Sequence, residues 1–185
     1  TLIEKMILIQ SETHCSLVAP KILYLDSPDY IWYAGSTFIK SKGFLPIHKG
    51  NKQKDEGQFD GVFQVEYAPT CCLLIKKQVF DDVGFMDEKY FVYFDDTDFS
   101  YRIWKDQRHK IIYLPTAKVL HKVGSLTKSF NKEDEKIFRG NFFLKQNIKN
   151  HIYFLRKIRT PFAFLFIIWL FFKNNLRVLI NPQLR

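Results

Sequence analysis

Tyr90-Phe91-Val92-Tyr93-Phe94-Asp95-Asp96-Thr97-Asp98-Phe99-Ser100-Tyr101-Arg102 sets five apolar or aromatic residues directly against three carboxylates. The acids predict a helix start, where side-chain oxygens cap free backbone N–H groups and meet the positive end of the helix dipole. Phe99, Ile103 and Trp104 then continue an apolar face through Asp106. Carboxylates crowded beside aromatic rings are partly desolvated, and both burial and like charge raise a carboxyl pKa. One of them can therefore serve as a general base near neutral pH. The same residues also admit a purely structural use, with Asp98 paired to Arg102 one turn on.

Outward from this run, the pattern alternates strands and helices. Residues 77–83 read as a short helix ending at Gly84, and residues 71–75 as a continuous apolar strand buried on both faces. Residues 62–67 alternate as a strand should, and residues 16–20 form a short buried strand stopped by Pro20. A strand over 30–33 carries Trp32 and Tyr33, whose rings are either simply buried in the sheet or available to stack on a substrate. Helical spacing covers about 1–10, as if the chain opened inside an element after a lost N-terminal segment. Residues 40–61, rich in lysine and glycine, read as a long surface loop. Strands over 110–114 and 118–121 follow, then a long amphipathic helix over 132–155. A last helix, opened by Pro161, runs from Phe162 to about Ile180. The fold class is α/β with C-terminal helices.

The composition belongs to a folded chain: 185 residues, 46% hydrophobic and 25% charged, which excludes disordered and collagen-like classes. Charge divides unevenly. All 19 acidic residues lie before Ile137 and are balanced there by 19 basic ones, leaving nine basic and no acidic residues beyond. Such a segment suits an anionic surface. Cys15, Cys71 and Cys72 offer no CxxC pair or disulfide framework, which points to a reducing, cytoplasmic compartment, with the vicinal pair as core residues without chemistry.

Residues 72–80, the stretch Val83-Gly84-Phe85-Met86-Asp87-Glu88-Lys89-Tyr90-Phe91 and the acid run itself resemble the acceptor-side half of family 2 glycosyltransferases, closest to the rhamnosyltransferase-like branch. Val18-Ala19-Pro20-Lys21-Ile22 and Lys118-Val119-Leu120-His121-Lys122-Val123-Gly124-Ser125 match two further strands of that family. The resemblance covers about residues 15–150. It implies a partial GT-A, or nucleotide-diphospho-sugar transferase, fold over residues 1–130, followed by a basic and apolar helical extension over 131–185.

The implied activity is an inverting transfer of a sugar, rhamnose in the nearest branch, from a nucleotide-sugar donor to a hydroxyl of a glycan or lipid-linked acceptor. Asp96 takes the place of the family's catalytic Asp. Asp95 stands beside it where the family has Glu, one methylene longer. Asp98 and Arg102 fall on substrate-side positions, and His121 on a position that helps hold a divalent cation, Mg²⁺ or Mn²⁺. The family's DxD metal motif and nucleotide-binding half are absent from these residues, so the cation is expected only with that half. His14, His48, His109 and His151 receive no role.

The last helix contains twelve apolar residues, 161–172, flanked by bases. They span about 18 Å, short of the ~30 Å hydrocarbon core. An in-plane anchor at the inner face of the cell membrane is one expectation for this helix; packing on the core or a homodimer interface is the other. Two rival functions remain: a noncatalytic membrane scaffold, and a basic nucleic-acid-binding protein. The second is disfavoured because no nucleic-acid-binding motif is present and the charge is confined to one end.

Overall fold

Thr1 caps the first helix, α1 (Leu2–Thr13): its hydroxyl accepts from Glu4 N, and the Glu4 carboxylate reaches back to the Thr1 amine. The computed structural model describes the backbone of residues 1–123, 132–159 and 163–180, with side chains except those of 132–141 and 173–180. In chain order the strands are β1 (Leu17–Tyr24), β2 (Ser27–Tyr33), β3 (Ser36–Ile39), β4 (Leu45–His48), β5 (Phe63–Val65), β6 (Leu74–Ile75) and β7 (Ile111–His121). The remaining helices are α2 (Lys77–Val83), α3 (Asp95–Asp106), α4 (Lys132–Ile158) and α5 (Ala163–Ile180).

β1 is the centre of a five-stranded mixed sheet. It pairs in parallel with β7, from Leu17 against Ile111 to Tyr24 against His121. β5 lies antiparallel on the other side of β7, while β2 and β6 share the opposite edge of β1. Every β1 residue from Leu17 to Leu23 is buried, as befits a strand covered on both faces. α1 packs on β1 and β7, burying Met6 with Cys15, Val18, Leu114 and Ala117. Burial of a side chain the size of Met6 contributes about 1.5–3 kcal/mol.

Four expectations change. Pro20 does not stop β1. On one edge β6 pairs only with Leu17 and Val18 and β2 only from Ile22 onward, so Pro20 sits in the gap between them. On the other edge the register shifts directly after it, so no regular ladder is interrupted there. The strands expected over 110–114 and 118–121 are one strand, β7, whose bulge lets Leu114 face Pro20 and Lys118 face Lys21.

Residues 40–61 are not a long loop: β4 pairs with β3 as a separate hairpin, and Pro46 fits because β4 is an edge strand. The 50–60 segment is strapped to β2 by Ile31 N to Gln53 O (2.8 Å), Lys52 N to Ile31 O (2.8 Å) and Asp55 N to Asp29 O (2.7 Å). Finally, the strand expected over 71–75 shrinks to Leu74–Ile75, and Cys71 is exposed rather than in the core. Burial of its thiol against its neighbours nevertheless pushes the Cys71 pKa up to about 11, so it is not a thiolate at neutral pH.

The described chain forms two compact units. The first holds Thr1–Lys40, Phe44–Glu88 and Asp95–Val123, and so contains both sheets and α1 to α3. The second holds Ser41–Gly43, Lys89–Phe94 and the described residues beyond Gly124, including α4 and α5. Within it, Phe91, Tyr93 and Phe94 adopt left-handed backbone, at φ 59°, 64° and 70°. Conformations of that kind cost about 1–3 kcal/mol each and persist only when the surroundings hold them. Asn150 of α4 does so: its buried amide donates to Tyr90 O (2.9 Å), Val92 O (2.8 Å) and Tyr93 O (2.8 Å), with Gln146 adding a bond to Tyr90 O (2.9 Å). Of the residues singled out from the sequence, Gly124, Ser125, Pro161 and Phe162 lie outside the described residues.

Candidate active site

Asp95 and Asp96 occupy the first turn of α3. Asp96 is half-buried, and its carboxylate is held from two sides. The Tyr67 hydroxyl donates to Oδ2 at 2.6 Å, while Thr97 N donates to Oδ1 at 2.8 Å. Burial, followed by the neighbouring Asp95 charge, pushes the Asp96 pKa up to about 6, against the lowering effect of the Tyr67 and Thr97 donors. The result is a carboxylate ionised at neutral pH yet basic enough to take a proton.

One turn further along α3, Ser100 fixes the segment that carries Tyr67. Its hydroxyl lies 3.3 Å from both Ala68 N and Ala68 O. Residues four apart share a helix face, so Asp96 and Ser100 meet residues 67–68 together. Tyr33 completes the support by donating its hydroxyl to Tyr67 O at 2.9 Å. Gly35, at φ 92°, makes the turn out of β2, and a Cβ there would meet the Phe63 ring at 2.7 Å.

Beside Tyr67 runs a chain of rings. His48, at the end of β4, stacks on Tyr67 with centroids 5.5 Å apart and meets Trp32 edge-on at 4.9 Å. Trp32 in turn lies 4.7 Å from His121, the last residue of β7. Burial lowers the His48 pKa, outweighing the opposing effect of its Nδ1 contact with Trp32 O at 3.2 Å. Burial also lowers that of His121. Both imidazoles are therefore neutral at pH 7, the form in which a ring nitrogen can bind a metal. Among the described residues, no group of three His, Cys, Asp or Glu side chains is placed to hold a metal ion.

No protein-family model matches the chain. Curated relatives match over part of it, among them these two. A low-salt glycan biosynthesis hexosyltransferase of Haloferax volcanii is 26% identical over 106 residues, covering 54% of this chain and 31% of the relative. An N-acetylglucosaminyl-diphospho-decaprenol L-rhamnosyltransferase of Mycobacterium tuberculosis is 42% identical over 57 residues, covering 31% of this chain and 18% of the relative. The chain thus spans less than a third of the length of these relatives. Over these residues the chain is similar to glycosyltransferases.

The expected site residues separate into two groups. Asp95, Asp96, Trp32 and His121 all belong to the first unit, with Trp32 and His121 in direct ring contact. Tyr33, Asp98 and Arg102, expected at the substrate, are occupied elsewhere. Successive strand residues point to opposite faces, so Tyr33 is buried where its neighbour Trp32 is not. Asp98 is 0% exposed and pairs with Arg102 Nε at 3.0 Å. Arg102 also donates to the carbonyls of Val83, Gly84 and Phe85, tying the end of α2 to α3. These two carry the structural use that their four-residue spacing allowed. Sequence reasoning missed Tyr67, the donor to Asp96, and His48, the ring between Tyr67 and Trp32.

Proposed function

We propose that this chain supplies the acceptor side of an inverting glycosyl transfer on a GT-A scaffold, with Asp96 as general base. The observation that carries the reading is the Asp96 carboxylate itself, half-buried, held by Tyr67 and Thr97, and poised at a pKa of about 6. The names of the two relatives, a glycan biosynthesis hexosyltransferase and an N-acetylglucosaminyl-diphospho-decaprenol L-rhamnosyltransferase, support the substrate class. The donor is a nucleotide sugar, rhamnose being the favoured sugar, and the acceptor is a hydroxyl of a glycan or lipid-linked saccharide. The site works at the cytoplasmic side of the cell membrane.

In the proposed step the acceptor hydroxyl gives its proton to Asp96 as its oxygen bonds to the anomeric carbon. The bond from that carbon to the diphosphate breaks, and the nucleoside diphosphate departs with the electron pair. Tyr67 keeps one carboxylate oxygen fixed, leaving Oδ1, with its Thr97 contacts, oriented at the head of α3. Trp32 offers a half-exposed ring for sugar stacking, and Asp95 adds the charge that raises the basicity of its neighbour. A divalent cation, Mg²⁺ or Mn²⁺, would neutralise the departing diphosphate. The neutral His121 imidazole would be one ligand, and among the described residues no trio of His, Cys, Asp and Glu side chains completes the set.

The test uses the protein with a nucleotide sugar and a lipid-linked acceptor. Asp96→Asn should lower turnover by about 10²-fold or more while donor binding persists. Near-normal turnover in the folded variant would remove Asp96 as the base and leave the noncatalytic scaffold as the better reading.

A further inference from the structure

The described side chains of α5, from Ala163 to Phe172, include no charged residue. Within the second unit α5 packs with α4, and Leu170 is its buried residue at 6% exposure. Six large apolar side chains of the same segment are exposed: Phe164 (71%), Leu165, Ile168, Trp169, Phe171 and Phe172 (67%). At about 100° per residue these six fill an arc of about 160° centred opposite Leu170. A helix of a water-facing protein carries polar residues on that arc. An exposed contiguous apolar patch of this kind marks an interaction surface.

Charge selects the occupant. Arg156, Lys157 and Arg159, immediately before α5, are all exposed. From Ile137 to the C-terminus the chain carries nine basic residues and no acidic one. A second copy docking on the same face would bring like charges together around the contact, whereas an anionic surface would neutralise them. The ten described apolar residues rise about 15 Å, half of a hydrocarbon core of about 30 Å. No described helix is long and apolar enough to cross a membrane. We infer that the Phe164–Leu165–Ile168–Phe172 face of α5 lies in the plane of an anionic lipid surface, its rings in the acyl boundary and the flanking bases at the headgroups. The inference stands independently of the glycosyl-transfer reading.

The experiment uses the whole protein with vesicles of phosphatidylcholine alone or with one quarter phosphatidylglycerol. Binding should be at least about tenfold tighter to the anionic vesicles and weaken between 50 mM and 500 mM salt, as a screened attraction must. Trp169 emission should shift to the blue on binding, a change missing from Trp169→Phe. Phe164→Ser with Phe172→Ser alters only exposed positions, so the variant should keep its circular dichroism and lose most vesicle binding. Equal binding to both vesicle types, or full binding by the double variant, overturns the inference. So does self-association through this face without vesicle binding, which would make it a protein interface.

Discussion

Asp96 sits where four influences meet, and their signs predict how its titration responds to substitution. Burial and the Asp95 charge raise its pKa; the Tyr67 and Thr97 donors lower it. Tyr67→Phe keeps the ring but deletes a 2.6 Å hydrogen bond to the ionised form. The pKa should therefore climb above about 6, and the acid limb of the pH–rate profile should move upward by about one pH unit, the equivalent of a charge-assisted bond worth about 1.4 kcal/mol. Activity at pH 6 then falls more than activity at pH 8. A limb that stays in place or moves down would mean that Asp96 is not the titrating base. The acid cluster was legible because its signal is local, three acids behind five apolar residues within thirteen positions, whereas the choice of Asp96 among them came from the family resemblance. Tyr67 and His48 had no such signal. Tyr67 reaches Asp96 across 29 residues, and His48 earns its place only through a hairpin that aligns it with Trp32 and Tyr67.

Among the elements, the segment over 50–60 shows why local composition misleads. Its lysines, glycines and acids look like a solvated loop, yet two of the acids close on a lysine in the central strand. Lys21, 0% exposed, lies 2.7 Å from Asp55 and 2.5 Å from Asp60, and Lys118 of β7 reaches Asp55 at 2.8 Å. Burial works to raise the Asp55 pKa, but the bonds from Lys118 and Lys21 outweigh it and hold the carboxyl below its usual range. A depressed carboxyl contributes stability above its unfolded pKa of 3.8 and loses it as pH falls through the folded value. Lys21→Ala should cost about 3 kcal/mol in urea unfolding at pH 7, near the low end for breaking a buried pair because Asp55 keeps Lys118. The gap to the parent protein should narrow below about pH 4, and Lys21→Met, which retains the stem, should cost less. A cost at pH 7 within error of zero would show that the strap does not depend on this cluster. The helices α1 to α5 and the places of β1, β2 and β7 were legible from period and punctuation, but β1 was cut short at Pro20 and β7 was divided in two. The hairpin β3–β4 was not, because four-residue strands interrupted by Pro46 give too short an alternation. Cys71 and Cys72 misled in the other direction: an apolar run predicts burial only when the sheet extends far enough to cover it, and β6 has two residues.

At the scale of the whole molecule, acid and base are segregated: the carboxylates of the candidate site lie in the first compact unit, while the uncompensated positive charge lies beyond Ile137. The same segregation bears on the metal. A divalent cation needs several anionic or imidazole ligands converging on one point. His121 touches Trp32, a residue that cannot ligate, and no described trio of His, Cys, Asp and Glu side chains surrounds any position. The Asp96 carboxylate, although close to Asp95 in sequence, is committed to Tyr67 and Thr97. Residues 1–185 alone should therefore bind Mn²⁺ only weakly, with a dissociation constant on the order of 1 mM, about 4 kcal/mol of binding free energy. Titration calorimetry with MnCl₂ measures this directly, and His121→Ala should reduce the small heat further. If glycosyl transfer is the activity, the same substitution should raise the Mn²⁺ concentration for half-maximal rate more than it changes the acceptor KM, since one ligand is removed and no acceptor contact is. Micromolar binding by the 185-residue chain, unaffected by His121→Ala, would place a complete cation site within these residues and His121 outside it.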